Sequence, residues 1–205
     1  MDLSYNRLES IEDGLSQASS VRKLDLSHNK LSLLQWDSLP TKLETFTADD
    51  NQISLLGAAY NSRVRVASLK NNRVSQLSAD QVPASVEHLD LSVNRIQHIA
   101  PGTFGSKTAL KKLNLAGNQL MSLARDGLEV VDAIHGLEVD LRDNPLVCSC
   151  ELDWVRKEEV RRRLTLYGLE HTYCLHALNR KKLSLAEVMA GDLLCQYDQV
   201  QYFFK

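Results

Sequence analysis

Apolar side chains recur along this chain in a fixed frame, L-x-x-L-x-L-x-x-N-x-L. One copy of the frame is filled by Val21, Leu24, Leu26, Asn29 and Leu31, and successive copies stand 21 to 26 residues apart. The L-x-L part alternates apolar and polar positions, which is the pattern of a short strand with one buried face. Each copy of the frame therefore predicts one strand followed by a turn.

An asparagine follows the predicted strand in every copy of the frame. The seven asparagines are Asn6, Asn29, Asn51, Asn72, Asn94, Asn118 and Asn144. We expect each side chain to hydrogen-bond backbone groups in its own turn and in the neighbouring copy. These asparagines then form a structural ladder, and we assign none of them to ligand binding. The frame and its spacing define a leucine-rich repeat.

A repeat of this length cannot bury its apolar face alone, so the repeats are expected to stack into a solenoid with one continuous core. The predicted fold class is α/β, with a parallel β-sheet on the concave face. The convex side is expected to consist of loops and single helical turns, because segments such as 100–104 are rich in turn residues. We assign about seven repeats, the first of them truncated, to residues 1–143. Such an extended curved surface usually serves binding.

Residues 144–205 break the repeat pattern and are predicted to form a C-terminal cap. Apolar residues at roughly helical spacing predict a first helix over the last repeat: Leu152, Trp154, Val155, Val160 and Leu164. The basic side chains of this helix are expected to remain in water: Arg156, Lys157, Arg161, Arg162 and Arg163. Ser184, followed three residues later by Glu187, is a capping-box signature that predicts a second short helix.

All four cysteines lie in the last third of the chain, at Cys148, Cys150, Cys174 and Cys195. A zinc site is the competing interpretation, but structural zinc favours C-x2-4-C pairs and the only close pair here is C-x-C. Two disulfides are therefore favoured, and they place the chain in an oxidising compartment. Four cysteines allow three connectivities, among which sequence alone cannot choose.

Charge balance and the lack of catalytic motifs narrow the function. The chain has 205 residues, is 43% apolar and carries a net charge of −2, so nucleic acid is not an expected partner. Its six histidines, among them His135, form no H-E-x-x-H or H-x-H arrangement. No G-x-S-x-G elbow and no glycine-rich phosphate loop occurs either. We expect neither an enzyme nor a bound cofactor or metal.

Candidate binding residues come from the positions just ahead of each asparagine, which alternation is expected to turn toward the concave face. Aromatic and desolvated charged side chains most often anchor interfaces, so we select Tyr5, His28, Asp49, Asp50 and Lys70. A second outward column contains Asp2, Asp25, Thr47, Ser68, Asp90, Asn114 and Asp140. The alternatives are an ordinary hydrated sheet, or binding through lateral edges and convex loops.

The chain enters the repeat frame in the middle of a copy, which indicates a fragment of a longer protein. Without a preceding repeat, Leu3, Leu8, Ile11 and Leu15 are expected to show apolar surface to water. No apolar run approaches the roughly 18 residues that cross a bilayer, so any membrane anchor is expected outside these residues. The sequence contains no N-x-S/T acceptor for N-linked sugar.

The segment N-P-L-V-C-S-C-E-L-D-W, residues 144–154, resembles the cysteine-rich C-terminal flanking domain of extracellular leucine-rich repeat proteins. This resemblance implies the disulfides Cys148–Cys174 and Cys150–Cys195. Segments 172–181 and 191–197 are similar to the flanking domain of invertebrate Toll receptors, so the chain resembles a fragment of a Toll ectodomain. It departs from that pattern at residues 198–205, which contain no further cysteine.

The resemblance implies extracellular protein recognition by a Toll-like transmembrane receptor, as the ectodomain of a single-pass protein of the plasma membrane. The expected partner is a secreted, cystine-knot cytokine-like protein ligand or another cell-surface receptor ectodomain, in development or innate immune signalling. Receptor dimerisation is a further expectation. The alternative is a leucine-rich repeat adhesion protein of neural or epithelial cells that has no signalling domain of its own.

Overall fold

A computed structural model of the chain describes residues 1–11, 13–123, 136–161, 164–176, 178–193 and 195. Its strands, in chain order, are β1 (Lys23–Asp25), β2 (Leu33–Leu34), β3 (Thr45–Thr47), β4 (Leu55–Leu56), β5 (Val66–Ser68), β6 (Gln76–Leu77), β7 (His88–Asp90), β8 (His98–Ile99), β9 (Lys112–Asn114), β10 (Leu137–Asp140), β11 (Leu146–Val147), β12 (Leu164–Tyr167), β13 (Tyr173–Leu175) and β14 (Lys182–Ser184). Within the described ranges, seven strands form one parallel sheet in the order β1-β3-β5-β7-β9-β10-β12. The predicted leucine-rich repeat solenoid is confirmed.

The strands of this sheet are short because each repeat commits only one L-x-L segment to it. Their central side chains are buried and stand in register across the sheet: Leu24, Phe46, Ala67, Leu89, Leu113 and Val139. The residues on either side of each central residue face outward, as the alternation predicts. Together with leucines such as Leu26 and Leu31, the buried row forms one continuous core along the solenoid.

The ladder asparagines fasten each repeat to the one before it. In its own repeat, Asn51 donates from Nδ2 to the carbonyls of Ala48 and Asp49. It also donates to the Leu26 carbonyl of the previous repeat, and its Oδ1 accepts the Leu31 N–H. The same contacts recur at Asn29, Asn72, Asn94, Asn118 and Asn144. One side chain thus satisfies buried backbone groups of two repeats, which explains why the residue recurs.

The convex side carries short helical turns and two small parallel strand pairs. Helices of the 3-10 type at Asp13–Leu15, Trp36–Ser38 and Ala79–Gln81 agree with the single turns expected there. The strand pairs β2–β4 and β6–β8 were not expected, because two-residue strands leave no alternation for a sequence pattern to show. Trp36 Nε1 donates to the Gln81 carbonyl at 3.0 Å, which ties convex turns two repeats apart.

A buried lysine holds two further convex segments together. Lys107 Nζ donates to the carbonyls of Ala79 and Val82, each at 2.7 Å. Burial lowers the pKa of Lys107, since the charged ammonium is removed from water. The lysine therefore acts as a hydrogen-bonding bridge between repeats.

The first repeat is less exposed than the sequence pattern predicted. Leu3, Leu8, Ile11 and Leu15 are partly buried and pack against the core. Backbone hydrogen bonds from Leu3 N–H to the Asp25 carbonyl and from Tyr5 N–H to the Ser27 carbonyl join this repeat to the next one. The prediction that these four side chains show apolar surface to water is therefore only partly confirmed, because the next repeat covers part of that surface.

The first part of the cap departs from the predicted single helix. The chain forms a 3-10 helix at Cys150–Arg156 and one α-helical turn, α1, at Glu158–Arg161. It then runs as β12, so the prediction of a helix that continues to Leu164 is wrong. The edge of β10 offers unpaired backbone groups, and pairing with them outweighs the local helical spacing. His135, Arg162 and Arg163 lie outside the described residues.

The covering role predicted for Trp154 agrees with the structure. Its side chain is buried together with Leu152 and Val155, and its Nε1 donates to the Leu123 carbonyl of the last repeat at 2.8 Å. Buried indole N–H groups normally find such a partner. The 3-10 helix thus closes the apolar end of the solenoid.

The second cap helix predicted after Ser184 is also wrong. Ser184 ends β14, and its carbonyl accepts the N–H groups of Glu187 and Val188, which closes a single turn. Leu185 and Val188 inside this turn are buried. The hydroxyl of Ser184 does accept a nearby N–H, as in a helix cap, but burial of these two side chains against the core stops the helix from propagating. A short 3-10 helix follows at Ala190–Asp192.

Two disulfides bind the cap together. Cys148 is bonded to Cys174, and Cys150 to Cys195, with a Cα–Cα distance of 5.1 Å in both. The first bond lies where β11 and β13 pair in parallel. Because β12 of the cap belongs to the same sheet as the repeats, the division into repeats 1–143 and a cap 144–205 stays a prediction.

Candidate recognition surface

The concave face of the solenoid is built from two rows of outward side chains on the seven-stranded sheet. The residues just before the buried central side chains contribute Lys23, Thr45, Val66, His88, Lys112 and Glu138. The last residues contribute Asp25, Thr47, Ser68, Asp90, Asn114, Asp140 and Tyr167. The second row contains the outward column predicted from the sequence and ends on an aromatic residue that the cap supplies.

The last strands surround an open depression of about 360 Å³, which we call the concave hollow. Its outward-facing walls are Val66, Ser68, His88, Asp90, Lys112, Asn114, Glu138, Asp140 and Tyr167. Acidic, basic, amide, apolar and aromatic groups thus share one recess. Tyr167 is 56% exposed at the end of the hollow, so a large part of its ring is available to a partner.

Ion pairs and hydrogen bonds hold the polar walls of the concave hollow in fixed orientations. Lys112 Nζ lies 2.9 Å from a Glu138 carboxylate oxygen, and Asn114 Nδ2 donates to Asp90 at 3.0 Å. At the cap end, the Arg142 guanidinium binds both oxygens of Asp140 and lies over the Tyr167 ring, 4.9 Å from its centroid. The hydrogen bond to Asp140 raises the pKa of Arg142, so this pair stays charged.

All five candidate residues chosen from the sequence lie in different surroundings from those expected. The strands end before Tyr5, His28, Asp49, Asp50 and Lys70, so these residues lie in the turns after the strands and not on the sheet. Asp49 accepts hydrogen bonds from the Ser68 hydroxyl and the Lys70 N–H, at 2.6 and 2.9 Å. Burial nevertheless raises the pKa of Asp49, helped by neighbouring Asp90 and Asp50. Its carboxylate is therefore engaged within the protein, whereas the Lys70 side chain is exposed.

The residue just ahead of each ladder asparagine adopts a left-handed backbone. Its φ lies between 54° and 66° at Tyr5, His28, Asp50, Asn71, Val93, Gly117 and Asp143. At the N-terminal end of this row, the Tyr5 and His28 rings stack with centroids 4.1 Å apart, and His28 Nε2 lies 3.6 Å from Asp50. Tyr5, His28 and Asp50 are thus brought together at the rim of the sheet, and their use in binding stays a prediction.

Val93 is the one β-branched residue in this left-handed row, and the backbone there disfavours it. Replacing Val93 with asparagine, the residue that the preceding repeat uses at Asn71, is expected to raise the free energy of unfolding by about 1 kcal/mol. Val93 is 46% exposed, so little apolar burial is lost. Urea unfolding of the two proteins measures the difference.

The matched control for this substitution is Val66→Asn, at an exposed strand position where φ is negative. Asparagine disfavours strands, so the control is expected to lower the urea midpoint. A Val93→Asn midpoint that is unchanged or lower would show that the left-handed turn imposes no strain on valine.

Ion pairs neutralise the edge of the sheet where the strands begin. Glu87 pairs with Arg65 and with Lys111, the latter at 2.7 Å between Nζ and Oε2. The hydrogen bonds from Arg65 and then Lys111 lower the pKa of Glu87 to about 2. At the same edge, Arg22 lies 3.8 Å from Glu44. The basic side chains named here are therefore matched by carboxylates.

Sequence reasoning missed the first outward row of the concave face. His88, Lys112 and Glu138 lie two residues ahead of the column that was identified, so one more step of the alternation would have found them. Tyr167 had no comparable signal, because it follows the last copy of the frame.

Among the described residues, no group of three or more His, Cys, Asp or Glu side chains is arranged to hold a metal ion. No helix in that part of the chain is long and apolar enough to span a membrane.

Family models agree with the repeat architecture. A model described as "Leucine rich repeat" matches residues 62–127, and a second, described as "Leucine Rich Repeat", matches residues 20–41. Among solved structures, a chain of the Toll–Spatzle complex, described as "a molecular hub in Drosophila development and innate immunity", is similar with a TM-score of 0.71. The match covers 97% of this chain and 32% of that chain at 21% identity, so it establishes the fold.

Curated relatives belong to two kinds of leucine-rich repeat protein. Toll-like receptor 7 of Drosophila melanogaster is 26% identical over 205 residues, 94% of this chain. Toll-like receptor 9 of Mus musculus is 30% identical over 140 residues, 64% of this chain. Leucine-rich repeat and fibronectin type III domain-containing protein 1 of Rattus norvegicus is 31% identical over 145 residues, 68% of this chain. The chain spans 14% of the length of each of these relatives.

Proposed function

Because this chain is a leucine-rich repeat protein that resembles Toll receptor ectodomains, we propose that it is an extracellular protein-recognition segment of a Toll-like transmembrane receptor. In this proposal the receptor crosses the plasma membrane once, and the chain lies on the extracellular side. The resemblance to Drosophila Toll-like receptor 7 along 94% of the chain, repeats and cap together, supports this assignment over a generic repeat protein.

The observation that carries the proposal is the concave hollow with Tyr167 at its end. Aromatic and arginine side chains in well-defined recesses supply most of the energy of protein interfaces. Here Tyr167 lies beside Arg142, and the bidentate pair with Asp140 holds the guanidinium in place. A protein surface that docks on this face meets a pre-ordered anchor, which lowers the entropy that binding must overcome.

The proposed partner is a folded protein. A solved structural neighbour is the Toll–Spatzle complex, which supports a protein ligand for this chain. We propose a secreted ligand of the cystine-knot cytokine-like kind. Another cell-surface receptor ectodomain is the second partner class, and receptor dimerisation is the corresponding mechanism of assembly. Development and innate immune signalling are the proposed settings.

A second candidate function is cell adhesion. It is favoured by the 31% identity to leucine-rich repeat and fibronectin type III domain-containing protein 1 of Rattus norvegicus over 68% of this chain. In that case the protein joins neural or epithelial cells without a signalling domain of its own. The full-length protein distinguishes the two: a membrane span followed by a cytoplasmic TIR domain supports the receptor, and a lipid anchor or short tail supports adhesion.

The test is binding of the oxidised chain to a panel of secreted and cell-surface ectodomains from the same organism. For the partner that binds, Tyr167→Ala is expected to weaken the affinity by at least about tenfold, the usual effect of an aromatic anchor. Tyr60→Ala is the matched control, because Tyr60 is 78% exposed outside the concave face. The Tyr60→Ala variant is expected to bind the partner with the same affinity as the unmodified chain.

Two further variants locate the site if the concave hollow is not used. Loss of affinity in Tyr5→Ala and Asp50→Lys, with Tyr167→Ala unaffected, would move recognition to the left-handed row. Equal affinity in all four variants would contradict recognition through either surface. A melting curve of each variant separates lost contacts from lost folding.

A further inference from the structure

One lateral edge of the solenoid carries a row of basic side chains that the proposed protein recognition does not use. The row consists of the residue that follows each of the first six ladder asparagines: Arg7, Lys30, Gln52, Arg73, Arg95 and Gln119. We call it the basic flank. Each of these residues from Lys30 onward donates its backbone N–H to a carbonyl of the previous repeat, at 2.8 to 2.9 Å. These bonds hold the row in register from one repeat to the next.

The four bases of the flank lack carboxylate partners. Arg7, Lys30, Arg73 and Arg95 are exposed, and within the described ranges none of them forms an ion pair. The flank segments 7–10, 30–33, 52–55, 73–76 and 95–98 contain a single acidic residue, Glu9. The opposite edge is neutralised by pairs such as those of Glu87. Positive potential is therefore concentrated on one edge of a chain whose net charge is −2.

A second row, two residues further along each repeat, adds neutral hydrogen-bonding groups. Ser32, Ser54, Ser75 and Gln97 are all exposed beside the bases. Their backbones are also linked across repeats: Ser54 N–H donates to the Ser32 carbonyl, and Gln97 N–H to the Ser75 carbonyl. The basic flank is thus a ridge of cations alongside a ridge of hydroxyl and amide groups, and both run along the axis of the solenoid.

We propose that the basic flank binds a linear sulfated glycosaminoglycan that lies along the solenoid axis. Adjacent repeats stand about 5 Å apart, so Arg7 and Lys30 are neighbours in the row, as are Arg73 and Arg95, with Gln52 between the two pairs. Such a one-dimensional series of charges suits a linear polyanion. Arginine forks match sulfate oxygens, and the serine and glutamine side chains suit the hydroxyl groups of sugars. The two disulfides place the chain where such glycans occur, outside the cell.

An acidic protein and a nucleic acid are the other possible occupants, and the row favours neither. A folded protein presents its acidic groups in a two-dimensional patch, whereas the flank offers one narrow row with a sugar-compatible ridge beside it. Nucleic acid binding usually adds aromatic side chains that stack on bases, and the flank segments contain no Phe, Tyr or Trp. The chain also has no N-x-S/T acceptor, so no N-linked sugar covers the row.

The test measures binding of a heparin oligosaccharide to the full chain by calorimetry at several salt concentrations. Arg73→Gln with Arg95→Gln is the test pair, because glutamine already occupies the row at Gln52 and Gln119. The pair is expected to weaken binding at least about tenfold and to reduce the slope of log affinity against log salt by about half, since two of four cations are removed. Arg22→Gln with Lys111→Gln removes the same charge from the opposite edge and is expected to leave the affinity within about twofold.

A gain-of-function variant completes the design. Gln52→Arg fills the gap in the row and is expected to tighten heparin binding about threefold or more, whereas Asn61→Arg on a convex loop is not. Equal losses in both double variants, or no heparin binding by the unmodified chain at physiological salt, would overturn the proposal. Polyglutamate or single-stranded DNA that binds as tightly as heparin would assign the flank to an acidic protein or a nucleic acid instead.

Discussion

Replacing Asn94 with alanine is expected to lower the free energy of unfolding by about 3 kcal/mol. Asn94 is 6% exposed in the middle of the ladder, and its Nδ2 donates to the Leu69 carbonyl of the previous repeat at 2.9 Å. It also donates to the carbonyls of Leu91 and Ser92 in its own turn. Its Oδ1 accepts the Val74 N–H at 3.0 Å. Alanine leaves the Val74 N–H without its partner, whereas the three carbonyls keep the hydrogen bonds that they accept from Asn72, Asn118 and Asn71.

The size of this effect follows from burial. An unsatisfied polar group in the interior costs about 1–3 kcal/mol, and the substitution creates at least one such donor at Val74 together with a small cavity. The loss also weakens the coupling between adjacent repeats, on which the stability of a solenoid depends. Urea unfolding measures the change, and a broadened transition would show that the repeats on either side of residue 94 unfold separately.

The control for the ladder is Asn61→Ala. Asn61 is exposed on a convex loop, so its substitution is expected to change the free energy of unfolding by less than about 0.5 kcal/mol. If Asn94→Ala proved as harmless as Asn61→Ala, the ladder would be a consequence of the fold and not a source of its stability.

Removing the Cys148–Cys174 disulfide by replacing both cysteines with alanine is expected to destabilise the protein by about 3.5 kcal/mol. The bond closes a loop with a sequence separation of 26, and its loss frees the unfolded chain. Both cysteines are fully buried, next to the paired strands β11 and β13. The cap that this bond holds also keeps Trp154 over the last repeat, so its loosening exposes the apolar end of the solenoid.

Unfolding with and without a reducing agent measures this contribution. The reducing agent is expected to lower the urea midpoint of the unmodified chain at least as far as that of the double variant. The Cys150→Ala, Cys195→Ala variant, which retains the first bond, serves as the comparison for the longer loop, whose sequence separation is 45. A midpoint that the reducing agent does not change would mean that the disulfides contribute nothing to stability.

The repeats were predictable because their information is local. Leu24 and its counterparts on the neighbouring strands are buried because L-x-L alternation places every second side chain on one face. The positions of the ladder asparagines were predictable for the same reason. Each asparagine follows a strand and hydrogen-bonds backbone groups in its own turn as well as in the previous repeat. Stacking then follows from burial, as each copy of the frame leaves the same apolar face uncovered.

The cap was predictable in composition and not in secondary structure. Trp154 was placed correctly over the last repeat, but Leu164 entered a strand where its spacing indicated a helix, and Ser184 began a turn in place of a helix. Both errors have one cause. Contacts with residues that are distant in sequence compete with the local preference for a helix. Helical spacing over a few residues is a weak preference that pairing or burial readily overrides.

The residues of the binding surfaces were also only partly predictable from the sequence. Alternation alone revealed the outward column from Asp25 to Asp140, whereas the basic flank was not identified from the sequence. Tyr167 joined the concave hollow only because β12 pairs with β10, and Tyr5, His28 and Asp50 moved off the sheet because the turn after each strand is left-handed.

The solenoid, its buried row, its ladder and the four cysteines of its cap could be read from the amino-acid sequence, because each of these depends on spacing within one repeat or one short segment. How the cap ends the sheet, and which aromatic residue closes the concave hollow, followed from contacts between segments that are distant along the chain. The physical reason is that the last repeat leaves a strand edge with unpaired N–H and C=O groups, and whichever later segment can reach that edge gains a full set of hydrogen bonds.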